Sequence, residues 1–422
     1  MKFQNQVLKN GLQVVSEYRP SAVSAAMGFF VKTGARDESS EIAGVSHFLE
    51  HMVFKGTTKR PTSIDITREL DGLGAHYNAF TSHEYTGYYA KVTSDHAYRA
   101  LDIVSDIYLN PLFDQKEIDK EKGVIVEEIR MYKDMPHRHV LDVFMELLYG
   151  DQPAGWNITG TEDTVKSFNR ADFVKYRAEH YTADATTVVV AGAFNEKEMI
   201  AKVTEVFSKT PASQKHGKLA VTEKQSKPAV KIHFKETDQT HIVLGVRAPA
   251  IKSPEAPALR VMSTILGGGM SSRLFQKLRG EMGVCYYVGS DYDAYTDHGI
   301  FAITAGVDTT RAQEVVGVLV DEIKKLRDGG VTEQELAMAK DYMIGHTMLA
   351  LETSDAVAEY CATQETLKGE IKTPAEASEK IKAVTVADIA KVAREIFVTQ
   401  HLNLAMVGKY KDSESFERLL RV

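Results

Sequence analysis

The feature that most constrains the fold of this chain is a repeated order: strand-like and helix-like segments succeed one another in the same way on both sides of a polar stretch, Ser208 to Pro228. The first part opens with Asn10-Gly11 between Val7-Leu8 and Leu12, Val14 and Val15, a strong local signal for a β-hairpin. A strand at 23–31 follows. The apolar period then lengthens, with Val45, Phe48, Leu49, Met52 and Val53 recurring at helical spacing within 39–55. A helix at 62–73, strands at 76–80 and 85–92, and helices at 95–109, 115–132, 140–149 and 172–180 lead to a buried strand at 186–191 and a helix at 196–207. Beyond the polar stretch come strands at 230–234 and 242–246, helices at 256–266 and 271–282, and strands at 286–291 and 299–305. Helices at 311–326, 333–351 and 355–367 and a last strand at 402–407 complete the pattern. This order predicts an α+β protein of two α/β domains built on one plan, residues 1–210 and 229–422, joined by a linker at 211–228.

Composition narrows the function classes. The 422 residues are enough for two sizeable cores, and 43% apolar content excludes disorder. Lys and Arg number 51 against 58 Asp and Glu, a net charge of −7, so no electrostatic footprint for nucleic acid is expected. The two cysteines, Cys285 and Cys361, offer neither a disulfide framework nor a thiolate zinc cluster and suit a reducing cytoplasm. No run approaches the roughly 18 apolar residues of a membrane span, so no membrane partner is expected.

The sharpest motif is His47-Phe48-Leu49-Glu50-His51. On a helix, residues i and i+4 lie roughly 40° apart and one turn along, so both imidazoles reach a single ion while Glu50 leans toward the same edge. Two neutral imidazoles suit Zn²⁺, and a catalytic zinc takes a third protein ligand and keeps a position open for water. A neighbouring carboxylate then serves as base. This order of ligands is the inverted zinc signature.

A third ligand is expected from an acid in the same half, and the helix near 116–132 offers several. With Ile118 set at zero, Ile125, Ile129 and Tyr132 define the buried stripe, Glu121 and Glu128 fall on its margin at roughly −60° and −80°, and Glu127 faces water at about 180°. From periodicity alone, the two marginal acids read equally well as the solvated flank of an amphipathic helix.

The run His47 to Thr57, His-Phe-Leu-Glu-His-Met-Val-Phe-Lys-Gly-Thr, resembles the zinc motif of the pitrilysin family of metallopeptidases, especially the branch of the mitochondrial processing peptidase β subunit and its bacterial relatives. In that family a Glu-x6-Glu motif follows, matched here by Glu121 to Glu128. The resemblance implies that Glu128 is the third zinc ligand beside His47 and His51, that Glu121 is a supporting acid, and that Glu50 is the general base. It departs at Glu127, where processing peptidases often carry Arg. The segment Asn78-Ala79-Phe80-Thr81 and its continuation to Thr86 resemble the edge strand on which relatives dock substrate as an added strand. Arg279 and Tyr286 match an Arg-x6-Tyr pair that in relatives contacts substrate and stabilises the oxyanion. Read alone, Tyr286 is a core residue, Gly267-Gly268-Gly269 a turn between helices, and His137-Arg138-His139 a loop.

The resemblance further implies antiparallel-rich sheets covered by helices, one Zn²⁺ per chain, peptide substrates, and a clamshell of four such domains, of which this chain supplies half. It therefore implies a homodimer or a heterodimer with a related chain. Two rival readings remain: a non-catalytic assembly partner, since the family contains subunits that lost the chemistry, and a metal-dependent hydrolase of small molecules.

Overall fold

The computed structural model describes residues 2–212 and 217–422. It divides into two compact units. The first holds a six-stranded sheet of β1 (Gln4–Val7), β2 (Gln13–Tyr18), β3 (Ser24–Val31), β4 (His76–Thr81), β5 (Thr86–Thr93) and β6 (Thr186–Gly192). Its order is β1-β2-β6-β3-β5-β4, antiparallel throughout except for β2 with β6. The second unit holds β7 (Ala229–Phe234), β8 (Gln239–Ala248), β9 (Cys285–Ala294), β10 (Gly299–Asp308) and β11 (Asn403–Gly408) in the order β7-β11-β8-β10-β9. There the parallel pair is β7 with β11. Without β1, the two sheets have the same order and the same pairing directions, so the α+β reading with one duplicated plan is borne out.

The central strands β6 and β11 are buried along their whole length, because both faces of each sheet are covered. In the first sheet Val188 and Val190 point into the main core, which includes Phe29, Phe48 and Leu101. Val189 and Ala191 point to the other face, against Val357, Ala358, Cys361 and Ala362 of the helix Ser354–Lys368. In the second sheet Val243, Ala405 and Val407 meet Val140, Val143, Phe144 and Leu148 of the helix Pro136–Tyr149.

The covering helices are thus exchanged along the chain. The first unit comprises Met1–Ile129, Asn157–Leu219 and Met348–Pro374, and the second the remainder. Bounds at 1–210 and 229–422 describe the sheets but not the packing. The chain passes from one unit to the other after Ile129, Trp156, Leu219, Thr347 and Pro374, so the stretch 211–228 is one of five connections. Its residues 213–216 lie outside the described residues. The physical reason is that each exchanged helix buries one amphipathic face, which specifies that it must be covered but not by which part of the chain. In the helix Pro136–Tyr149 that face is Val140, Val143, Phe144 and Leu148, whose burial contributes on the order of 10 kcal/mol gross.

The structure adds helices at Glu162–Ser167, Pro374–Lys382 and Val386–Ile396 that the pattern does not predict. The expected helix at 39–55 is α-helical only over Val45–Met52, with short 3-10 turns at Ser40–Ile42 and Val53–Lys55. His137, Arg138 and His139 are not a loop but the start of the helix Pro136–Tyr149, where Pro136 presets the first turn. Among the described residues no helix is long and apolar enough to cross a membrane, and both cysteines are free and buried.

Candidate metal centre

The helix Val45–Met52 lies against the first sheet with Phe48 packed edge-on to Phe168 and Phe173. That contact sets its rotation. With Val45, Phe48, Leu49 and Met52 committed to the core, His47 and His51 share the adjoining face. Their ring centroids are 4.7 Å apart. The helix Gln115–Asp134 buries Ile118, Glu121, Ile125, Val126 and Ile129, leaves Glu128 partly buried and exposes Glu127.

The two helices bring three donors together. The Nε2 atoms of His47 and His51 lie 3.6 Å and 3.5 Å from Glu128 Oε2, and all three ligand atoms fall within 4.8 Å of one another. Tetrahedral zinc with bonds of about 2.0–2.1 Å needs ligand separations of roughly 3.3 Å. The donor set therefore fits Zn²⁺ in type and spacing.

Around these donors lies a supporting shell. Glu121 Oε1 accepts from His51 Nδ1 at 2.9 Å, and Lys55 Nζ reaches Glu121 Oε2 at 2.6 Å. This fixes the tautomer that leaves the His51 Nε2 lone pair directed toward Glu128. Burial disfavours the His51 cation, but the bond to Glu121 and the charges of Glu128, Glu50 and Glu121 outweigh it and raise the pKa above the ordinary value. For Glu121, burial opposes ionisation, while His51 and Lys55 prevail and hold it below the usual carboxylate range. The Nδ1 atom of His47 is buried and has no hydrogen-bond partner among the described residues.

Glu50 does not join the donor cluster. Its Oε2 accepts from Thr81 Oγ1 at 2.7 Å, which ties it to the end of β4. β4 pairs with β5 alone and forms one edge of the sheet. Along it, Asn78 is exposed, Ala79 buried, and Phe80 and Thr81 partly buried, and Asn78 Oδ1 accepts from the Ala79 amide at 2.9 Å. Thus Glu50, His47, His51, Glu121, Glu128 and Thr81 meet in the first unit.

Arg279 and Tyr286 lie in the second unit. Arg279, in a π-helical turn at Phe275–Glu281, donates to the main-chain oxygen of Tyr286 at the start of β9, the edge strand of that sheet. Tyr286 is 73% exposed, so the core reading of it does not hold: the strand's alternation turns its ring outward.

Three participants escaped sequence reasoning: Lys55, Thr81 as the partner of Glu50, and Glu38. Glu38 accepts the amides of Gly44 and Ser46, each at 2.7 Å, at the start of the histidine helix. A signal for it existed. The helix begins after Gly44, a residue without a capping side chain, so its first amides require an acceptor from elsewhere.

Comparison with known proteins places these features. Residues 13–162 match the family described as Insulinase (Peptidase family M16), and residues 167–343 match Peptidase M16 inactive domain. An uncharacterized zinc protease of Bacillus subtilis (strain 168), YmxG, is 37% identical over 401 residues, covering 95% of this chain and 97% of its own. An uncharacterized zinc protease of Mycobacterium leprae is 33% identical over 423 residues, covering 98% and 94%. The crystal structure of a protease from Helicobacter pylori superposes with a TM-score of 0.90 at 23% identity, over 96% of this chain and 99% of that one. A peptidase M16 inactive domain from Pseudomonas fluorescens gives 0.89 at 16%, over 97% and 99%. At such identities the structural likeness speaks to the fold.

Proposed function

We propose that this chain, which belongs to peptidase family M16, is a zinc-dependent endopeptidase acting on unfolded or extended peptides. The observation that carries the reading is the meeting of two imidazole nitrogens and a carboxylate oxygen within 4.8 Å, with Glu50 held beside them by Thr81. The names of relatives at 37% and 33% identity point the same way. An intact donor set also argues against a purely non-catalytic partner.

Zn²⁺ held by His47, His51 and Glu128, one per chain, supplies Lewis-acid chemistry when bound, polarising a peptide carbonyl and making water acidic enough to lose a proton near neutral pH. The remaining work falls to the chain's own groups. Glu50 has one oxygen engaged by Thr81 and the other available to take that proton and later hand it to the departing amine. Glu121 and Lys55 keep His51 in its ligating tautomer. The free edge of β4, at Asn78, Ala79, Phe80 and Thr81, accepts an extended peptide as a further strand, a mode that tolerates many sequences and refuses folded proteins. Arg279 and the exposed Tyr286 supply donors to the substrate and the developing oxyanion.

The same reading includes assembly with a second copy or a related chain, as the resemblance to processing peptidases implies, and work in the cytoplasm, in keeping with two free buried cysteines. A digestion assay tests the function. Metal-loaded protein is expected to cleave an unstructured peptide and spare a folded one, and to lose activity on chelation and regain it with Zn²⁺. Undiminished cleavage by protein shown by metal analysis to be metal-free overturns the reading. Light scattering that finds only an active monomer overturns the assembly.

A further inference from the structure

We propose that Glu38 is a positioning residue for His47: by accepting the amides of both Gly44 and Ser46 it fixes the first turn of the helix Val45–Met52 and hence the place of the His47 ring. This rests on the metal centre proposed above and explains an asymmetry within it. The ring of His51 is held from behind by Glu121, itself held by Lys55. His47 has no such support, since its Nδ1 meets no hydrogen-bond partner among the described residues. Its orientation follows from the backbone that carries it.

That backbone has little stability of its own. The helix is 8 residues long, shorter than the roughly 12–15 residues at which isolated helices become even marginal, and its first amides have no partners inside it. Gly44 stands at the cap with φ of 93°. A Cβ there would come within 2.6 Å of the Thr159 main-chain oxygen, so no capping side chain fits at that position. The acceptor has to arrive from elsewhere, and the turns at Ala35–Asp37 and Ser40–Ile42 bring Glu38 back to the helix start.

Glu38 is 4% exposed, and each of its oxygens takes one amide at 2.7 Å, Oε2 that of Gly44 and Oε1 that of Ser46. Burial pushes its pKa up to about 8 against the pull of these amides. A glutamine would be cheaper to bury but sets an NH2 group against one of the two amides, whereas the carboxyl offers an oxygen to each. Ser46 is further held by its hydroxyl bond to Tyr176 at 2.7 Å. The next residue is His47.

The test measures metal affinity rather than turnover alone. Zn²⁺ affinity is read by competition with a chromophoric chelator, and ligand geometry by the visible absorption of the Co²⁺ form. Glu38→Gln is expected to weaken Zn²⁺ binding by roughly 10- to 100-fold, the scale of a lost supporting contact, and to alter the Co²⁺ spectrum while far-ultraviolet circular dichroism stays unchanged. Val188→Ala, a cavity in the same core on the central strand β6, is the control and should leave affinity and spectrum as in the wild type. If Glu38→Gln does not fold, Glu38→Asp takes its place: one methylene shorter, its carboxylate falls short of the two amides, and a severalfold loss is expected. Wild-type affinity and spectrum in the Glu38 variant, or an equal loss in Val188→Ala, overturns the proposal and leaves the centre standing. A wild-type protein that binds neither Zn²⁺ nor Co²⁺ removes the centre and the proposal together.

Discussion

In the first unit, β3 leads through two short turns into a helix that turns His47 and His51 toward Glu128. In the second, β8 leads into the helix Ala256–Gly267, whose buried residues are Ala256, Ala258, Leu259, Val261, Met262, Ser263, Ile265 and Leu266. The two sheets have one topology without β1, yet among the described residues the one cluster of ligating side chains, His47, His51 and Glu128, lies in the first unit. β4 ends at Thr81, bonded to Glu50, whereas the matching edge β9 begins with an exposed phenol, Tyr286, and a guanidinium bonded to its backbone. The plan supplies positions for helices and edges; the residues placed there decide the chemistry.

Five substitutions break or sharpen that contrast. Glu128→Gln removes a ligand from the first unit and is expected to weaken Zn²⁺ binding by more than about 100-fold, with activity lost in step. Glu127→Gln, on the exposed face of the same helix, should leave metal content unchanged. Metal analysis showing the reverse ends the assignment of the centre. Glu50→Gln should keep zinc and lower kcat by roughly 10²- to 10⁴-fold; near-normal turnover with zinc bound refutes its role as base.

Phe144→Ala probes the exchange of helices. Phe144 precedes the polar stretch in the chain but packs on the second sheet, so a loss of about 3–5 kcal/mol should appear as faster hydrogen exchange in β8 and β11, with β3 and β6 protected as before. Faster exchange confined to the first sheet contradicts the assignment of that helix. Tyr286→Phe should cost roughly 10²-fold in kcat, as removal of one oxyanion donor does, with Zn²⁺ content unaffected. An inert Tyr286→Phe reduces the second unit to a structural role.

Much of this was legible from periodicity. The helix at Glu196–Phe207 and the hairpin around Asn10-Gly11 appear where local pattern places them, because side-chain period and turn chemistry act over a few residues. The spacing of His47, Glu50 and His51 lies on one helix and needs no partner to be read. The same holds for the helical phase that separates exposed Glu127 from Glu121 and Glu128. The Thr81 bond to Glu50, by contrast, joins residues 31 apart in the chain and leaves no periodic trace.

What the sequence determined by itself was therefore most of the elements, their repeated order and the residue types capable of holding a metal, all consequences of interactions between near neighbours. Only the tertiary structure decided which sheet each amphipathic helix covers, since an apolar stripe specifies that a face is buried but not against what. It also decided that His51 is backed by Glu121 and Lys55, and that Glu38 returns to cap the helix of His47. The first joins residues 70 apart in the chain and the second closes a bend of 6 to 8 residues that carries no periodic pattern; in both, hydrogen bonds form only when packing has brought donor and acceptor within about 3 Å.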